Sequence, residues 1–544
     1  MNFSGNIVDV VAGTIYPGTL EVRDGIIVDI VKETKCYDTC IIPGFIDSHV
    51  HIESSMLVPS EFARLAVTHG TVGAVCDPHE IANVLGIEGV RFMMENANTT
   101  PFKFYFGAPS CVPATPYETS GAQIGVMETE MLLRDDRILY LSEMMNFPGV
   151  IGNDSEVMAK ITCAKRQNKP IDGHAPGLRG NALKQYAAAG ISTDHECYER
   201  EEALEKISLG MKILIREGSA AKNFETLYPL IDEYPDSCMF CSDDKHPDDL
   251  VRGHINLLVK RAVSKGIDVM KVLKCASFNP VLHYKLDVGY LQKNQPADFI
   301  VVDNLTDFTV LKTVINGQSV AEKGKTHLMH RTPIVLNRFK AGKENPDDFR
   351  VDIKGTNIRV IGAIENQLIT DSLTETPRAE CRNAVSDTER DILKIAVVNR
   401  YEERPPAIGF IKNFGLQKGA IASSIAHDSH NIVAVGVNDH TICDAVNLII
   451  EQRGGVSLVS DEFREVLALP VAGIMSDEDG FIVAEKYARL NTLAKKLGTR
   501  LSAPYMTLSF MALLVIPHLK ISDKGLFDSR SFTFTDLFVD EKVK

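Results

Sequence analysis

The stretch GFIDSHVHIESS, residues 44–55, ends an apolar run with two histidines, His49 and His51, that are one residue apart. Side chains at positions i and i+2 of a β-strand point to the same side of the sheet. Two imidazoles on one side of a strand end can bind a single metal ion through two ring nitrogens. Two histidines in a turn are the alternative interpretation of this short motif, so the rest of the chain has to decide between them.

Apolar runs of the same kind recur between Cys40 and about residue 280, and helix-like segments separate them. CIIPGFIDSHVH is the first of eight; the others are TVGAVCDPHE, FKFYFGAPS, ILYLSEMM, PIDGHAPG, GISTDHEC, MKILIREGS and CMFCSDDKHP. Strands that alternate with helices predict a parallel α/β sheet. We expect a (β/α)8 TIM-like barrel over residues 41–283, with a doubly wound open sheet as the alternative. The barrel is favoured because nearly every run ends in a polar residue, where barrel enzymes build their sites.

Strand-like segments punctuated by Gly and Pro flank the barrel on both sides in the sequence. Residues 1–40 and 284–340 are predicted to pair in a small, split β-sandwich domain. Residues 325–355 are basic and polar, as in a linker. Residues 356–544 mix strand and helix patterns, so we expect a C-terminal α+β domain there.

The length, charge and cysteine content of the chain exclude several classes of protein. A chain of 544 residues is too long for one core, so two or three domains are expected. The net charge of −14 and the lack of a dense Lys/Arg run argue against a nucleic-acid partner. No apolar run approaches the roughly 20 residues that span a bilayer, so no membrane contact is expected. Eleven scattered cysteines and no visible signal peptide suit a cytoplasmic protein with reduced thiols.

Polar side chains at the ends of later runs extend the pattern set by the two histidines. His174 ends the fifth run, His195 the sixth and Asp243 the eighth. Each alone is more typical of a buried, hydrogen-bonded side chain. Four imidazoles and a carboxylate at one rim, however, are costly to desolvate unless a divalent cation pairs with them. A two-metal site needs a further ligand from the fourth run, where Glu143 is a carboxylate able to bridge two ions; a surface or helix-cap glutamate is the alternative.

These residues carry a resemblance. PGFIDSHVHIESS, DPHEIANV, GHAPG, TDHE and CSDDKHP, followed by NPVLHYKLDVGYLQKNQPADFIVVD, resemble the amidohydrolase superfamily. Together with AHDSHNIVAVG near the C-terminus, they are more closely similar to the bacterial adenine deaminase family, over nearly the whole chain. The resemblance implies hydrolysis of adenine to hypoxanthine and ammonia for purine salvage. It implies a binuclear centre, usually of Mn²⁺ or Fe²⁺ and with Zn²⁺ compatible, at which the metal ions turn water into hydroxide.

The resemblance also implies roles for individual residues. Glu143 would bridge the two metal ions, where many superfamily members use a carboxylated lysine. Asp243 would bind metal and shuttle protons, and Glu143 would protonate the purine ring. The implied metal ligands are His49, His51, Glu143, His174, His195 and Asp243.

Other polar residues at the predicted rim are candidates for contacts with the substrate. Asp77, at the end of the second run, is expected to assist the proton relay or to receive a purine N–H. A helix N-cap at Asp77 is an equally good interpretation. Ser110, Arg179 and Glu196 are expected to contact the flat, polar base.

Two further motifs have weaker implications. The CMFC segment, residues 238–241, has Cys-x-x-Cys spacing but no second pair nearby, so core packing is favoured over a zinc or redox site. The HDSH segment, residues 427–430, is interpreted as a turn rather than a metal site, with a lid contact over the barrel left open.

Two alternatives to adenine hydrolysis remain at this stage. Another hydrolase of the same superfamily would use the same ligands on a cyclic amide or an imidazolone. A non-catalytic scaffold would be expected to have lost ligands. The expected partner is a small-molecule substrate, adenine, and barrels with appended β domains often associate, so a homo-oligomer, a dimer, is predicted. Adenosine is expected to be inert because a ribose on N9 would clash with a closed pocket.

Overall fold

Eight parallel strands form the centre of the protein in a computed structural model, which describes residues 1–365 and 367–539. We label them in chain order: β1 (Phe45–Val50), β2 (Thr71–Cys76), β3 (Lys103–Ala108), β4 (Ile138–Met144), β5 (Ile171–Gly173), β6 (Thr193–Asp194), β7 (Lys212–Arg216) and β8 (Cys238–Cys241). β1–β5 pair in sequence, as do β6–β8. The backbone N–H of Ser192 donates to Ile171 O (2.9 Å) between β5 and β6, and that of Asp243 donates to His49 O (2.9 Å) beyond β8 and β1. The sheet therefore closes, and the predicted barrel is confirmed.

Helices surround the barrel in the order that the sequence predicts. They are Pro59–Ala66, His79–Leu85, Ile87–Ala97, Val126–Leu133, Phe147–Ile151, Ser155–Arg166, Gly180–Ala188, Arg200–Ser208, Phe224–Leu227, Leu230–Glu233, Pro247–Leu250, Ile255–Ser264, Val269–Leu273 and Asn279–Tyr284. Local signals set their limits. Ser155–Arg166, for example, begins at Asp154, whose carboxylate accepts from the N–H groups of Glu156 and Val157.

The first apolar run is two strands rather than one. Cys40–Pro43 belongs to a sheet outside the barrel, and β1 begins at Phe45. Gly44 lies between them, and a Cβ atom there would stand 2.4 Å from Val72 Cγ1. The chain thus passes from one sheet to the other at a point that only glycine can occupy.

That outer sheet joins segments from both flanks of the barrel. It has eight strands among the described residues: Asn2–Asp9, Thr14–Arg23, Ile26–Lys32, Cys40–Pro43, Phe299–Val302, Val310–Ile315, Gln318–Glu322 and Lys325–Thr326. Cys40–Pro43 is central, parallel to Asn2–Asp9 and antiparallel to Phe299–Val302. The two ends of the barrel are therefore tied together by one sheet.

The C-terminal region combines a large mixed sheet with helices, as an α+β domain should. Among the described residues the sheet contains Asn357–Ala363, Thr370–Glu375, Ile392–Val398, Ala407–Lys412, Ala420–Ser423, Ile432–Gly436, Gly455–Val459, Arg464–Ala468 and Phe538–Val539. Shorter strands are Arg378–Glu380, Asn383–Val385, Leu519–Ser522, Gly525–Asp528 and Thr533–Phe534. The helices are Asp439–Gln452, Gly480–Lys496 and Pro504–Phe510. None of the helices in the described ranges is long and apolar enough to cross a membrane.

The C-terminal region packs on the barrel through helix Gly480–Lys496. The backbone N–H of Gly480 donates to Glu61 Oε2 (2.8 Å), and Arg64 Nη1 lies 2.7 Å from Asp479 Oδ2. Farther along the helix, the Tyr487 hydroxyl is 2.6 Å from His246 Nδ1, beyond β8. These contacts hold the C-terminal region over the carboxyl end of the barrel.

Candidate metal centre

The two histidines of the opening motif point to the same side, as the strand period predicts. The Nε2 atoms of His49 and His51 are 3.2 Å apart, and both side chains are buried. Asp243, just beyond β8, places Oδ1 3.6 Å from His49 Nε2 and 3.1 Å from His51 Nε2. Nitrogens that bind one ion at about 2.1 Å in tetrahedral geometry stand a little over 3 Å apart. The three side chains are therefore spaced as ligands of one ion.

Glu143 stands at the centre of the cluster, at the end of β4. Its Oε1 is 3.4 Å from His51 Nε2, and its Oε2 is 2.9 Å from His174 Nδ1 and 3.1 Å from His195 Nε2. Ser110 Oγ donates to the Glu143 carbonyl (2.5 Å), which fixes the backbone at this point. One carboxylate thus faces all four imidazoles: Oε1 is nearest His51, and Oε2 faces His174 and His195 and lies 4.0 Å from His49 Nε2.

A divalent ion fits this donor set. The ligand atoms of His49, His195 and Asp243 lie within 4.8 Å of one another, and so do those of Glu143, His174 and His195. The His49 Nδ1 atom is buried and has no hydrogen-bond partner among the described residues. Imidazole nitrogens and carboxylate oxygens are ligands that manganese, iron and zinc share. The six residues predicted as metal ligands are brought together.

Charge within the cluster favours ionised carboxylates. Burial opposes ionisation of Glu143, but His174 and the other imidazoles hold its pKa well below the usual range. Burial likewise opposes ionisation of Asp243, yet the guanidinium of Arg216 and neighbouring histidines hold its pKa well below normal. Both carboxylates are therefore in the form that binds metal.

Arg216 is a site residue that the sequence analysis missed. It ends β7, its Nη1 lies 2.5 Å from Asp243 Oδ2, and the same nitrogen donates to Glu196. The side chain is buried. The sequence does contain the pattern that would have predicted it. Arg216 is the polar residue at the carboxyl end of the run MKILIREGS, and this is the position at which the other candidate residues were found.

His79 and Glu80 were also missed as site residues, although the DPHE segment was recognised. His79 Nδ1 lies 3.2 Å from Asp77 Oδ2 and 3.4 Å from Glu143 Oε1. Asp77 Oδ1 accepts from the His79 backbone N–H (3.1 Å), so Asp77 both supports the helix start and faces the cluster. The N-cap residue of the helix is Pro78, so Asp77 supports the helix start from the position before it, and its Oδ2 faces His79.

The residues predicted to contact the substrate fall into two groups. Glu196 lies in the cluster, with Oε1 3.7 Å from His174 Nδ1. Ser110 is buried, and its hydroxyl is used by the Glu143 carbonyl. Arg179 lies elsewhere: its guanidinium is 43% exposed and pairs with Glu205 (3.2 Å) at the surface. The geometry gives Arg179 no contact with the cluster, because its backbone begins helix Gly180–Ala188 with the side chain turned to solvent.

The HDSH turn reaches the mouth of the barrel. His427 Nδ1 contacts Glu80 Oε1, and His430 Nε2 lies 2.5 Å from Glu80 Oε2. Asp428 lies between them in the chain and lines the same cavity as His79 and Glu143. Residues 427–429 form a turn, as predicted, and the contact over the barrel that was left open is present as well. Cys238 and Cys241 of the CMFC segment are buried and free in β8, which fits core packing.

Comparison with family models assigns the chain to a class. The amidohydrolase family model matches residues 40–320, which is more than half of the chain. The chain therefore belongs to the amidohydrolase family. A solved D-hydantoinase structure covers 59% of this chain at 15% identity, with a TM-score of 0.45 and 95% of that protein aligned.

Relatives that match nearly the whole chain identify the family within the amidohydrolases. The model of the adenine deaminase C-terminal domain matches residues 367–533. The chain is 54% identical to an adenine deaminase of Salinibacter ruber over 99% of both proteins. It is 56% identical to one of a Sulfurovum species (98% of this chain, 99% of that one) and 53% identical to one of Methanosarcina mazei (99% and 100%). Within the amidohydrolases, the chain belongs to the adenine deaminase family, as the resemblance of its motifs predicted.

Proposed function

We propose that this protein hydrolyses adenine to hypoxanthine and ammonia. The observation that carries the proposal is the cluster of four imidazoles and two carboxylates at the carboxyl end of the barrel, in a chain that matches adenine deaminases along nearly its whole length. In this proposal His49, His51 and Asp243 would hold one divalent ion, His174 and His195 would hold a second, and Glu143 would serve both.

Two divalent ions would supply hydroxide at neutral pH, because metal coordination lowers the pKa of water from about 15.7 to about 7. We take Mn²⁺ or Fe²⁺ as the ions, with Zn²⁺ compatible with the same ligands. The protein's own contribution is to place the ligands, to keep them ionised and to move protons. The six ligands come from five separate segments of the barrel, so the site depends on the closed fold.

Proton transfer is assigned to carboxylates next to the ligands. Asp243 takes a proton from the attacking water and delivers it to the departing amine, while Arg216 holds Oδ2 in place at 2.5 Å. The purine ring nitrogen N1 also gains a proton during hydrolysis. Because Glu143 is ionised in the cluster, it would take the second proton of the attacking water and pass it to N1 from an oxygen that metal does not hold. Asp77 and His79 connect to Glu143 through contacts of 3.2 and 3.4 Å and complete the relay.

The cavity beside the cluster is small. It has room for about 30 Å³, close to the volume of one water molecule and too little for a purine. Apolar side chains of the C-terminal region, Leu368, Phe510, Leu513 and Ile516, cover it. Substrate entry in this proposal therefore requires these side chains to withdraw and then to return, which excludes bulk water during the reaction.

The experiment is a deamination assay on metal-stripped protein that has been reloaded with Mn²⁺ or Fe²⁺. Adenine should be converted to hypoxanthine, seen as a shift in ultraviolet absorbance together with release of ammonia. Adenosine should react far more slowly. Cyclic amides and imidazolones serve as competing substrates; turnover of one of these in place of adenine would reject the proposal in favour of another amidohydrolase activity.

We also propose a homodimer in the cytoplasm. All eleven cysteines are free, which suits a reducing compartment. Sedimentation or light scattering of the purified protein tests the dimer.

A further inference from the structure

The C-terminal turn 427–430 is held against the barrel by one buried glutamate. Glu80, in the first turn of helix His79–Leu85, uses both carboxylate oxygens on the turn: Oε1 contacts His427 Nδ1 and Oε2 lies 2.5 Å from His430 Nε2. All three side chains are buried. Burial opposes ionisation of Glu80, but the two histidines hold its pKa well below normal. The turn is therefore fixed relative to the metal ligands, and its remaining side chains have defined positions.

This turn places His427 and Asp428 at the cavity, and Asp428 is the carboxylate of the two. It is 3% exposed, its Oδ1 is 3.9 Å from His79 Nε2, and its Oδ2 accepts no hydrogen bond from any residue in the described ranges. A buried carboxylate oxygen without a donor is costly. Of the other cavity carboxylates, Glu196 accepts from Arg216 and Glu80 lies against the two histidines, although only its Oε1 has the geometry of a hydrogen bond. Asp428 is thus an acceptor that lacks its donor.

The position of Asp428 relative to the metal cluster suits a flat base. His79 separates the two: its Nδ1 is 3.4 Å from Glu143 Oε1 and its Nε2 is 3.9 Å from Asp428 Oδ1. The two carboxylates therefore stand one imidazole ring and two contacts apart. Both carboxylates line one cavity, so a fused bicyclic base bound there to Asp428 through one edge, alongside the His79 ring, would have its opposite edge towards the metal cluster. Phe510 and His427 line the same cavity, where their rings stack with centroids 4.7 Å apart and provide an aromatic wall.

Resting on the proposed adenine hydrolysis, we propose that Asp428 is the residue by which the C-terminal domain recognises the base. Its carboxylate accepts the imidazole-ring N–H of adenine, while the six-membered ring faces the metal ligands. Adenine carries that N–H at N9, and a nucleoside or a 9-alkyl purine does not. Asp428 therefore sets the preference for the free base in two ways: it lacks a donor when N9 is substituted, and it occupies the space that a substituent would need.

The test compares the full-length, metal-loaded wild type with Asp428→Ala and Asp428→Asn. Titration calorimetry gives the Kd of hypoxanthine, which keeps the ring N–H, and steady-state assays give kcat and KM for adenine and 9-methyladenine. Asp428→Ala should weaken hypoxanthine binding and raise the adenine KM by about tenfold or more, the loss expected for a hydrogen bond to a charged group. Its preference for adenine over 9-methyladenine should fall by a similar factor. Asp428→Asn keeps an acceptor oxygen and should recover part of the affinity.

Two controls separate recognition from damage to the site. Metal content should stay at two equivalents in both variants, and Asp444→Ala, which removes a half-exposed carboxylate on helix Asp439–Gln452 of the same domain, should behave as wild type. If Asp428→Ala does not fold, Asp428→Asn carries the comparison. Unchanged hypoxanthine affinity and unchanged base preference in the variants would overturn this inference alone. Failure of the wild type to deaminate adenine would instead reject the proposed function.

Discussion

Glu143 is enclosed by imidazoles, and this environment decides what the residue can do. His51, His174 and His195 each place a ring nitrogen within 3.4 Å of one of its oxygens. A buried negative charge surrounded by neutral or positive rings attracts a cation, and removal of the charge weakens that attraction on both sides. Binding of both proposed ions therefore depends on the carboxylate of Glu143.

Glu143→Gln tests this dependence with almost no change in shape. We expect the bound metal to fall from two equivalents to one or fewer, measured by inductively coupled plasma mass spectrometry after gel filtration. The rate of adenine deamination should fall by about 100-fold or more, as expected when an interaction that supports the transition state is lost. Glu130→Gln on helix Val126–Leu133 is the matched control and should leave both values unchanged. Full metal content in Glu143→Gln would contradict the bridging role.

Lys520 is a second residue whose environment leads to a measurable effect. It is buried, and Nζ donates to the carbonyls of Leu368 (2.7 Å) and Phe510 (2.9 Å), which joins two segments of the apolar wall. Burial lowers its pKa to about 7 from the usual value near 10.5. Between these two values only the unfolded chain keeps the proton, so the unfolded state binds more protons and stability rises with pH.

Lys520→Met should remove this pH dependence. From pH 7 to pH 9, the free energy of unfolding of the wild type should increase by about 2 kcal/mol relative to that of the variant. Urea denaturation at several pH values measures the difference. Lys496→Met, at the end of helix Gly480–Lys496, is the control for loss of a lysine. Parallel stability curves for wild type and Lys520→Met would show that Lys520 keeps an ordinary pKa.

At the scale of elements, helix Gly480–Lys496 links the C-terminal region to the barrel. Asp479 has two roles at its start: Oδ1 accepts from the Phe481 N–H (2.9 Å), and Oδ2 pairs with Arg64 (2.7 Å). An N-cap is worth about 1 kcal/mol, and the ion pair adds to it because Arg64 is largely buried. The helix start is therefore also the contact between two domains.

Asp479→Ala should lower the free energy of unfolding by about 1–2 kcal/mol. Asp479→Asn keeps a side-chain oxygen for the cap and loses the charge, so its cost should be smaller. Urea denaturation of the two variants separates the cap from the ion pair. Equal losses in both variants would assign the whole effect to the contact with Arg64, and no loss in either would show that the helix is held by its buried apolar face alone.

At the scale of the whole molecule, a metal ion bound at the cluster would contribute to stability as well as to the proposed chemistry. The ligands come from both halves of the barrel, and without a cation several buried ionisable groups face one another. Any ion that binds only the folded state stabilises it, by about 4 kcal/mol at 1,000 times Kd. The C-terminal turn adds a further connection, because Glu80 joins the second barrel strand to residues 427 and 430.

Removal of metal should therefore lower the Tm by several degrees and abolish deamination, and Mn²⁺ should restore both. Differential scanning calorimetry of chelator-treated and reloaded protein measures the shift. Glu143→Gln should show a smaller shift, which assigns the effect to this site rather than to ions bound elsewhere. An unchanged Tm after complete metal removal would mean that the six ligands are satisfied by one another.

The sequence by itself determined the barrel, and most of the metal cluster with it. Strand and helix periods are local, so each of the eight runs could be recognised from a few residues, and the carboxyl end of each strand identified His49, His51, Glu143 and Asp243. The same rule would have found Arg216. It was overlooked because an arginine at a strand end is not by itself a metal ligand.

Only the tertiary structure decided which contacts the side chains near the strand ends make. Arg216 turns inward to Asp243 whereas Arg179 turns to solvent, and in each case the carboxylate that the guanidinium meets comes from another segment of the chain. The contact between Glu80 and His427 joins residues 347 positions apart, and the split of the first run at Gly44 depends on the approach of Val72. Such features follow from packing between distant segments, which the periodicity of a single chain segment does not encode.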